Sequence, residues 1–252
     1  MGLQLTSSVT QKYSRNKIIT KKPILKVKFR KRCLGKNNTG KITVRHRSSG
    51  HKKKYRKINF EKSIFLGIVY GIEYDPYRTA NIISVFDIKL KRFFYLIASK
   101  DLKVGHIIKS GFDAENKIGH ITSLRQIPTG CCINNISFKV NGFAKISRSA
   151  GNFSVIIKKT KKYAEILLSS GQVKKLPLNL FATVGIVANE FAFLTNIGKA
   201  GRARWFGKRP TVRGVAMNPV DHPNGGGEGK KSGNRKTPWG KVMRSAKKKV
   251  NK

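Results

Sequence analysis

The placement of carboxylates constrains this chain before any other feature does. No Asp or Glu precedes Glu61, although residues 1–57 carry 13 Lys and 6 Arg. Residues 197–252 repeat the imbalance, with 10 Lys and 6 Arg against Asp221 and Glu228. The intervening residues 58–196 hold 19 basic and 9 acidic side chains, the balance of an ordinary, mildly basic globular domain. Unopposed positive charge repels itself in a compact state and is relieved when phosphates neutralise it. The expected plan is therefore a basic arm (1–57), a compact middle and a second basic arm (198–252). A net charge of +43 in 252 residues makes a polyanion the expected partner. No uninterrupted apolar run approaches the ~20 residues that a membrane span needs.

The second arm contains AGRARWFGKRPTVRGVAMNPVDHPNGGGEGKKSGNRKTPWG, residues 200–240. It has almost no hydrophobic period and cannot build a core by itself. Pro210, Pro219, Pro223 and Pro238 exclude a long helix. Gly225, Gly226 and Gly227 let the backbone approach a partner that side chains would hold away.

The middle reads as β structure. Ile64–Tyr74, Asn81–Leu90, Arg92–Ala98, Val104–Ile108 and Ile118–Leu124 are short, β-branched or aromatic, and bounded by turn residues. Asn81–Leu90 and Arg92–Ala98 form an expected hairpin around Lys89–Lys91. This regular spacing suggests a small barrel over 58–124. Cys131–Val140, Phe153–Lys158, Tyr163–Leu168, Val173–Leu176 and Thr183–Val187 suggest a second barrel over 125–197. Helical turns are expected near Phe191–Ile197.

Catalytic and metal signatures are weak. Cys131 and Cys132 are adjacent, so in a strand they face opposite ways and make a poor zinc corner. With Cys33 they read as reduced structural thiols. The Gly-rich run fails as a phosphate loop, because Gly229-Lys230 is followed by Lys231 rather than Ser or Thr. Asp221-His222 offers an acid–base pair without an accompanying nucleophile. No enzyme activity, no metal and no cofactor are expected, beyond structural Mg2+ held on a bound RNA. Nucleic-acid contact is the better use of these residues. In the first arm the candidates are Arg45, His46, His51, Lys52, Lys53 and Arg56. Arg148 and Ser149 lie in a polar loop between strands. Trp205, beside Arg202 and Arg204, stacks on bases or pins the arm to its own barrel. Trp239 is expected to anchor the arm.

Five stretches carry a family resemblance: GKITVRHRSSGHKKKYR (40–56), IEYDPYRTANI (72–82), ISRSAGNF (146–153), the block GKAGRARWFGKRPTVRGVAMNPVDHPNGGGEGK (198–230) and TPWG (237–240). Together they resemble the universal large-subunit ribosomal protein of the L-two family. The resemblance implies an oligonucleotide-binding-type barrel followed by an SH3-like barrel, with both arms threaded into large-subunit rRNA. It adds Arg78, Lys199, Lys208, Arg209, Arg213, Asn218, Asn224 and Lys230 to the expected rRNA contacts, with the three glycines. It implies neighbouring large-subunit proteins and the small subunit as further partners, and places Asp221 and His222 near the peptidyl transferase region. The chain departs from the pattern at Asn224, where the family usually has a second His, and at Ser48-Ser49-Gly50, where it has a Gly-rich patch.

A transiently bound RNA-binding translation factor or RNA chaperone is the alternative. The bias towards Lys, Ile, Asn and Phe suits an AT-rich genome, and the wording of 202–223 is similar to mitochondrial members. A mitochondrial ribosome is expected; a bacterial or plastid ribosome is the alternative. The acid-free residues 1–20 are compatible with a targeting segment and equally with the start of a basic arm.

Overall fold

The computed structural model describes residues 27–29, 34–61, 63–139, 142–228 and 233–243. Cys33, Lys230 and the first twenty residues lie outside them. The described chain forms two compact units. One draws on the described residues of 27–29 and 53–196, the other on those of 34–52 and 197–243.

The first unit is mainly β. Its strands are β1 (Val27–Phe29), β2 (Lys54–Arg56), β3 (Phe65–Glu73), β4 (Ile82–Asp87), β5 (Arg92–Ile97), β6 (Ile107–Ser110) and β7 (Ile121–Ser123). There follow β8 (Cys132–Asn134), β9 (Ile136–Ser137), β10 (Ala144–Ile146), β11 (Ser154–Lys159), β12 (Tyr163–Leu167), β13 (Val173–Pro177) and β14 (Phe181–Val184). Ten of them share one hydrogen-bonded sheet, in the order β13-β12-β11-β8-β14-β7-β6-β3-β4-β5.

In the first half, β3, β4 and β5 form an antiparallel meander, and β6 returns to the other edge of β3. This is the arrangement expected of an oligonucleotide-binding-type fold. The β4–β5 turn falls where the sequence places it: Asp87 Oδ1 accepts the N–H groups of Lys89 and Leu90, and Lys91 takes φ 48°. Inward residues Phe65, Val69, Ile83, Val85, Leu96, Ile108 and Ile121 make one core. A single parallel bridge, Ser110 to Ile121, leads into the second half. There Leu124, Ile127, Ile133, Ile136, Ile156, Ile166 and Leu180 make a second core. Burying each such side chain contributes about 1.5–3 kcal/mol. A third cluster gathers Ile58, Ala80, Ile82, Tyr95, Ile97 and Val187.

Several expected boundaries shift for local reasons. The strand expected over Cys131–Val140 breaks at Asn135, which adopts φ 50°. The one expected from Val104 starts at Ile107, because Gly105 at φ 90° turns the chain and donates its N–H to Val69 O. The helical turn near Phe191 is a 3-10 helix, Glu190–Leu194. Strands β1, β2 and β10 and helix α1 (Ala200–Trp205) are additions. Cys131 and Cys132 are free thiols, as expected of them.

The second unit is built differently. Among its described residues no apolar side chain is buried, and the buried side chains are those of His222 and Asn224. Backbone pairing holds two distant segments together. Ser48 N–H donates to Gly207 O at 2.9 Å, His51 N–H to Trp205 O at 2.9 Å, and Arg209 N–H to His46 O at 3.1 Å. Gly50 sits at φ 58° between them, and a Cβ there would collide with Trp205 O and with Gly207 N. Glycine at 50 thus meets the steric demand of the crossing.

Candidate nucleic-acid interface

In the first unit, the turn after β3 organises the basic side chains. Asp75 is fully buried; its Oδ1 accepts Tyr77 N–H at 2.9 Å, and its Oδ2 accepts Arg78 Nε–H at 2.7 Å. Lys53 Nζ donates to Pro76 O at 3.1 Å, and Tyr55 packs edge-on against Tyr77, with ring centroids 5.3 Å apart. Arg56 lies 3.6 Å from Glu73, which also accepts from the Tyr95 hydroxyl. Burial first, and the Glu73 charge second, push the Tyr95 phenol above its ordinary pKa.

Phe60 brings two of the expected residues together. The guanidinium of Arg148 lies 4.9 Å from its ring centroid and that of Arg78 lies 6.0 Å away. Both distances lie within reach of a cation–π attraction. Arg148 also reaches Ala144 O at 3.5 Å, and Ser149 stands beside it in a turn closed by Asn152 N–H to Ser149 O. The sequence marks Arg148 as a basic loop residue, and the family resemblance adds Arg78. It does not reveal their shared ring, because Phe60 sits 18 and 88 positions away from them.

In the second unit, Arg45, Asn218 and Asp221 line one open recess of about 420 Å3, together with Val212, Ala216 and Met217. Helix α1 carries Arg202, Arg204 and Trp205 just after Lys199. Trp205 is 62% exposed, whereas its carbonyl holds the His51 N–H. Lys208 bridges Arg47, the backbone of Arg209 is fixed by His46 O, and Arg213 precedes a 3-10 turn, Gly214–Ala216. Lys52 is the exposed last residue of the 34–52 segment. Trp239, expected to anchor the arm, is 60% exposed, and the chain around it turns on the backbone bonds of Thr237, Gly240 and Lys241.

His222 is 8% exposed and Asn224 is 7% exposed. Their burial escapes sequence reasoning, which treats both as surface contacts. His222 Nδ1 accepts Asn224 N–H at 3.0 Å, so the neutral ring carries its proton on Nε2. The ring lies where a Cβ on Gly214 would be, and that glycine is the sequence signal for it. Asp221 remains exposed in the recess. With Nδ1 occupied and Nε2 protonated, neither nitrogen is arranged to take a proton from a substrate. Gly226 and Gly227 adopt φ 78° and 82°, in the left-handed region. At Gly225 and Gly226 the tight space is intramolecular: Cβ atoms there would collide with Met217 and Asn218 and with Pro219, respectively. Nothing lies within 4 Å of a Cβ on Gly227. Among the described residues no group of three His, Cys, Asp or Glu could hold a metal. None of their helices is long and apolar enough to cross a membrane.

The family model described as "Ribosomal Proteins L2, RNA binding N-terminal domain" matches residues 22–110. The model "Ribosomal Proteins L2, C-terminal domain" matches residues 117–240. The chain is 42% identical over 263 aligned positions to a protein named "Large ribosomal subunit protein uL2" from Orientia tsutsugamushi (strain Ikeda). That alignment covers 100% of this chain and 96% of that protein.

Proposed function

The chain belongs to the ribosomal protein L2 family, with a structural, rRNA-binding role in the large subunit, and from that premise we propose that two surfaces fasten it to the rRNA. The first is the Phe60 platform with Arg78 and Arg148. Guanidinium groups suit phosphate because their planar N–H donors match its oxygens in pairs. Arg78 is already oriented by a buried carboxylate and Arg148 by an aromatic face, so less side-chain entropy is lost on binding. The second is the unit of 34–52 and 197–243, which carries dense positive charge without any buried apolar side chain among its described residues. That observation carries the reading most directly, because such a unit gains its stability from an external polyanion.

The role is structural rather than catalytic. Nδ1 of His222 holds the loop, and its Nε2–H is a donor suited to an RNA acceptor near the peptidyl transferase region. The same reading takes neighbouring large-subunit proteins and the small subunit as partners across the interface. Within cells the ribosome is the location. The Lys-, Ile- and Asn-rich composition supports a mitochondrial ribosome, while the similar Orientia protein supports a bacterial one; fractionation of the source cells separates the two. The test of the rRNA surface is binding of the full chain to large-subunit rRNA at fixed salt. Arg148→Gln and Arg78→Gln should each weaken binding about tenfold, corresponding to loss of one charge-assisted contact worth about 1.4 kcal/mol. Unchanged affinity in both variants would remove the platform from the interface.

A further inference from the structure

The outer face of the β3–β6 region bears an apolar strip that none of these rRNA contacts uses. Register places Ile107, Ile68, Phe86 and Phe93 side by side across β6, β3, β4 and β5. Leu66 lies two residues along β3 from Ile68 on the same face, and Tyr70 packs edge-on against Phe93 with centroids 5.3 Å apart. Ile107 is 58% exposed, Leu66 41% and Ile68 37%. These residues face away from the core formed by Phe65, Val69, Val85 and Ile108. A contiguous apolar surface of this kind marks an interaction site.

We infer that this strip docks a protein segment that is apolar along its centre and carries carboxylates at its edges. The centre of the strip is aliphatic, and its aromatic rings already pack on one another, with Phe86 and Phe93 centroids 4.9 Å apart. A nucleotide set on Ile68, Leu66 and Ile107 would find no stacking face and would press its charged backbone against apolar carbon, which costs desolvation without return. The rim is cationic. Lys109 is the register partner of Leu66 on the same face, and Lys89 and Lys91 project from the exposed β4–β5 turn. The nearby carboxylate, Asp87, is buried beneath that turn and bonded to its backbone. An acidic-edged protein segment therefore matches both the apolar centre and the charged border.

This inference rests on the chain residing in a large subunit, and the test separates the two claims. Large subunits are purified from cells expressing the full chain with a photo-crosslinking amino acid at position 107. Irradiation should join position 107 to a protein peptide with Asp or Glu flanking apolar residues. Crosslinks to rRNA alone, or none from a position open to solvent labelling, would overturn the docking site while leaving the ribosomal assignment intact. Absence of the chain from the particle would overturn both. Ile68→Glu should lower the crosslink yield at least tenfold and Lys109→Glu several-fold, with incorporation of the chain unchanged. Equal yields in all three would also overturn the proposal.

Discussion

The side chain of Asn224 spans the Gly-rich loop: its Oδ1 accepts Lys236 N–H at 2.8 Å, and its Nδ2 donates to Asn234 O at 3.2 Å. One buried amide thereby joins the residues that follow the loop to those that precede it. An amide presents donor and acceptor on one planar end. The two nitrogens of a histidine ring point apart and cannot serve both groups in this geometry.

Asn224→Ala should open this clasp. Residues 234 and 236 are exposed, so water replaces the lost partners, and the cost is about 0.5–1.5 kcal/mol for each bond. Hydrogen exchange of the Lys236 amide should quicken about tenfold or more. Asn224→Asp, which keeps the acceptor, should retain most of the protection at Lys236. Protection unchanged in Asn224→Ala would remove the clasp.

The three glycines should not be equivalent. Alanine at 227 meets only the conformational cost of positive φ, about 1–2 kcal/mol. Alanine at 226 adds a collision with Pro219, and at 225 collisions with the backbone of Met217 and Asn218. Quantifying each variant in purified large subunits should show greater loss for Gly225→Ala and Gly226→Ala than for Gly227→Ala. The reverse order would shift the tight approach from the chain's own backbone to the rRNA at Gly227.

Much of the β architecture was legible because burial enforces a period of two. Phe65, Gly67 and Val69 face the core while Leu66 and Ile68 face outward, so β3 announces itself. The pairing of 46–51 with 205–209 was not legible, since it runs through backbone atoms and leaves no pattern in side chains. Polar burial was hidden for a related reason. His222 and Asn224 look like RNA contacts by residue type, and only the space left by Gly214 and the turn at 225–226 draws them inside. Arg148 was visible as a basic loop residue and Arg78 through the family resemblance, but their convergence on Phe60 depends on tertiary packing.

Tyr95 links the fold to alkaline pH. Its phenol is raised chiefly by burial and then by Glu73. A raised folded pKa favours the protonated form, so its contribution to stability is complete below the ordinary tyrosine pKa of about 10. It is lost as pH rises through the higher folded value. Ultraviolet titration should show one ionisation above the ordinary tyrosine range, and that ionisation should be absent from Tyr95→Phe. Tyr95→Phe should reduce the loss of stability above about pH 10. A titration curve unchanged above the ordinary range in Tyr95→Phe would contradict the assignment.

Binding to rRNA should weaken steeply with salt. Each phosphate neutralised adds about 0.7–0.9 to the log–log slope. Deleting residues 1–57 and 198–252 should flatten the plot strongly. A middle segment that kept most of the slope would move the electrostatic contacts out of the terminal regions and onto the β sheet.

The most direct test is a high-salt wash of ribosomes from the source cells, followed by sedimentation and quantification of the chain in each fraction. A structural constituent should remain with the large subunit at one copy per particle, while transient factors leave. Release of the chain into the supernatant under conditions that keep the large subunit intact would contradict the account and favour a transiently bound RNA-binding factor.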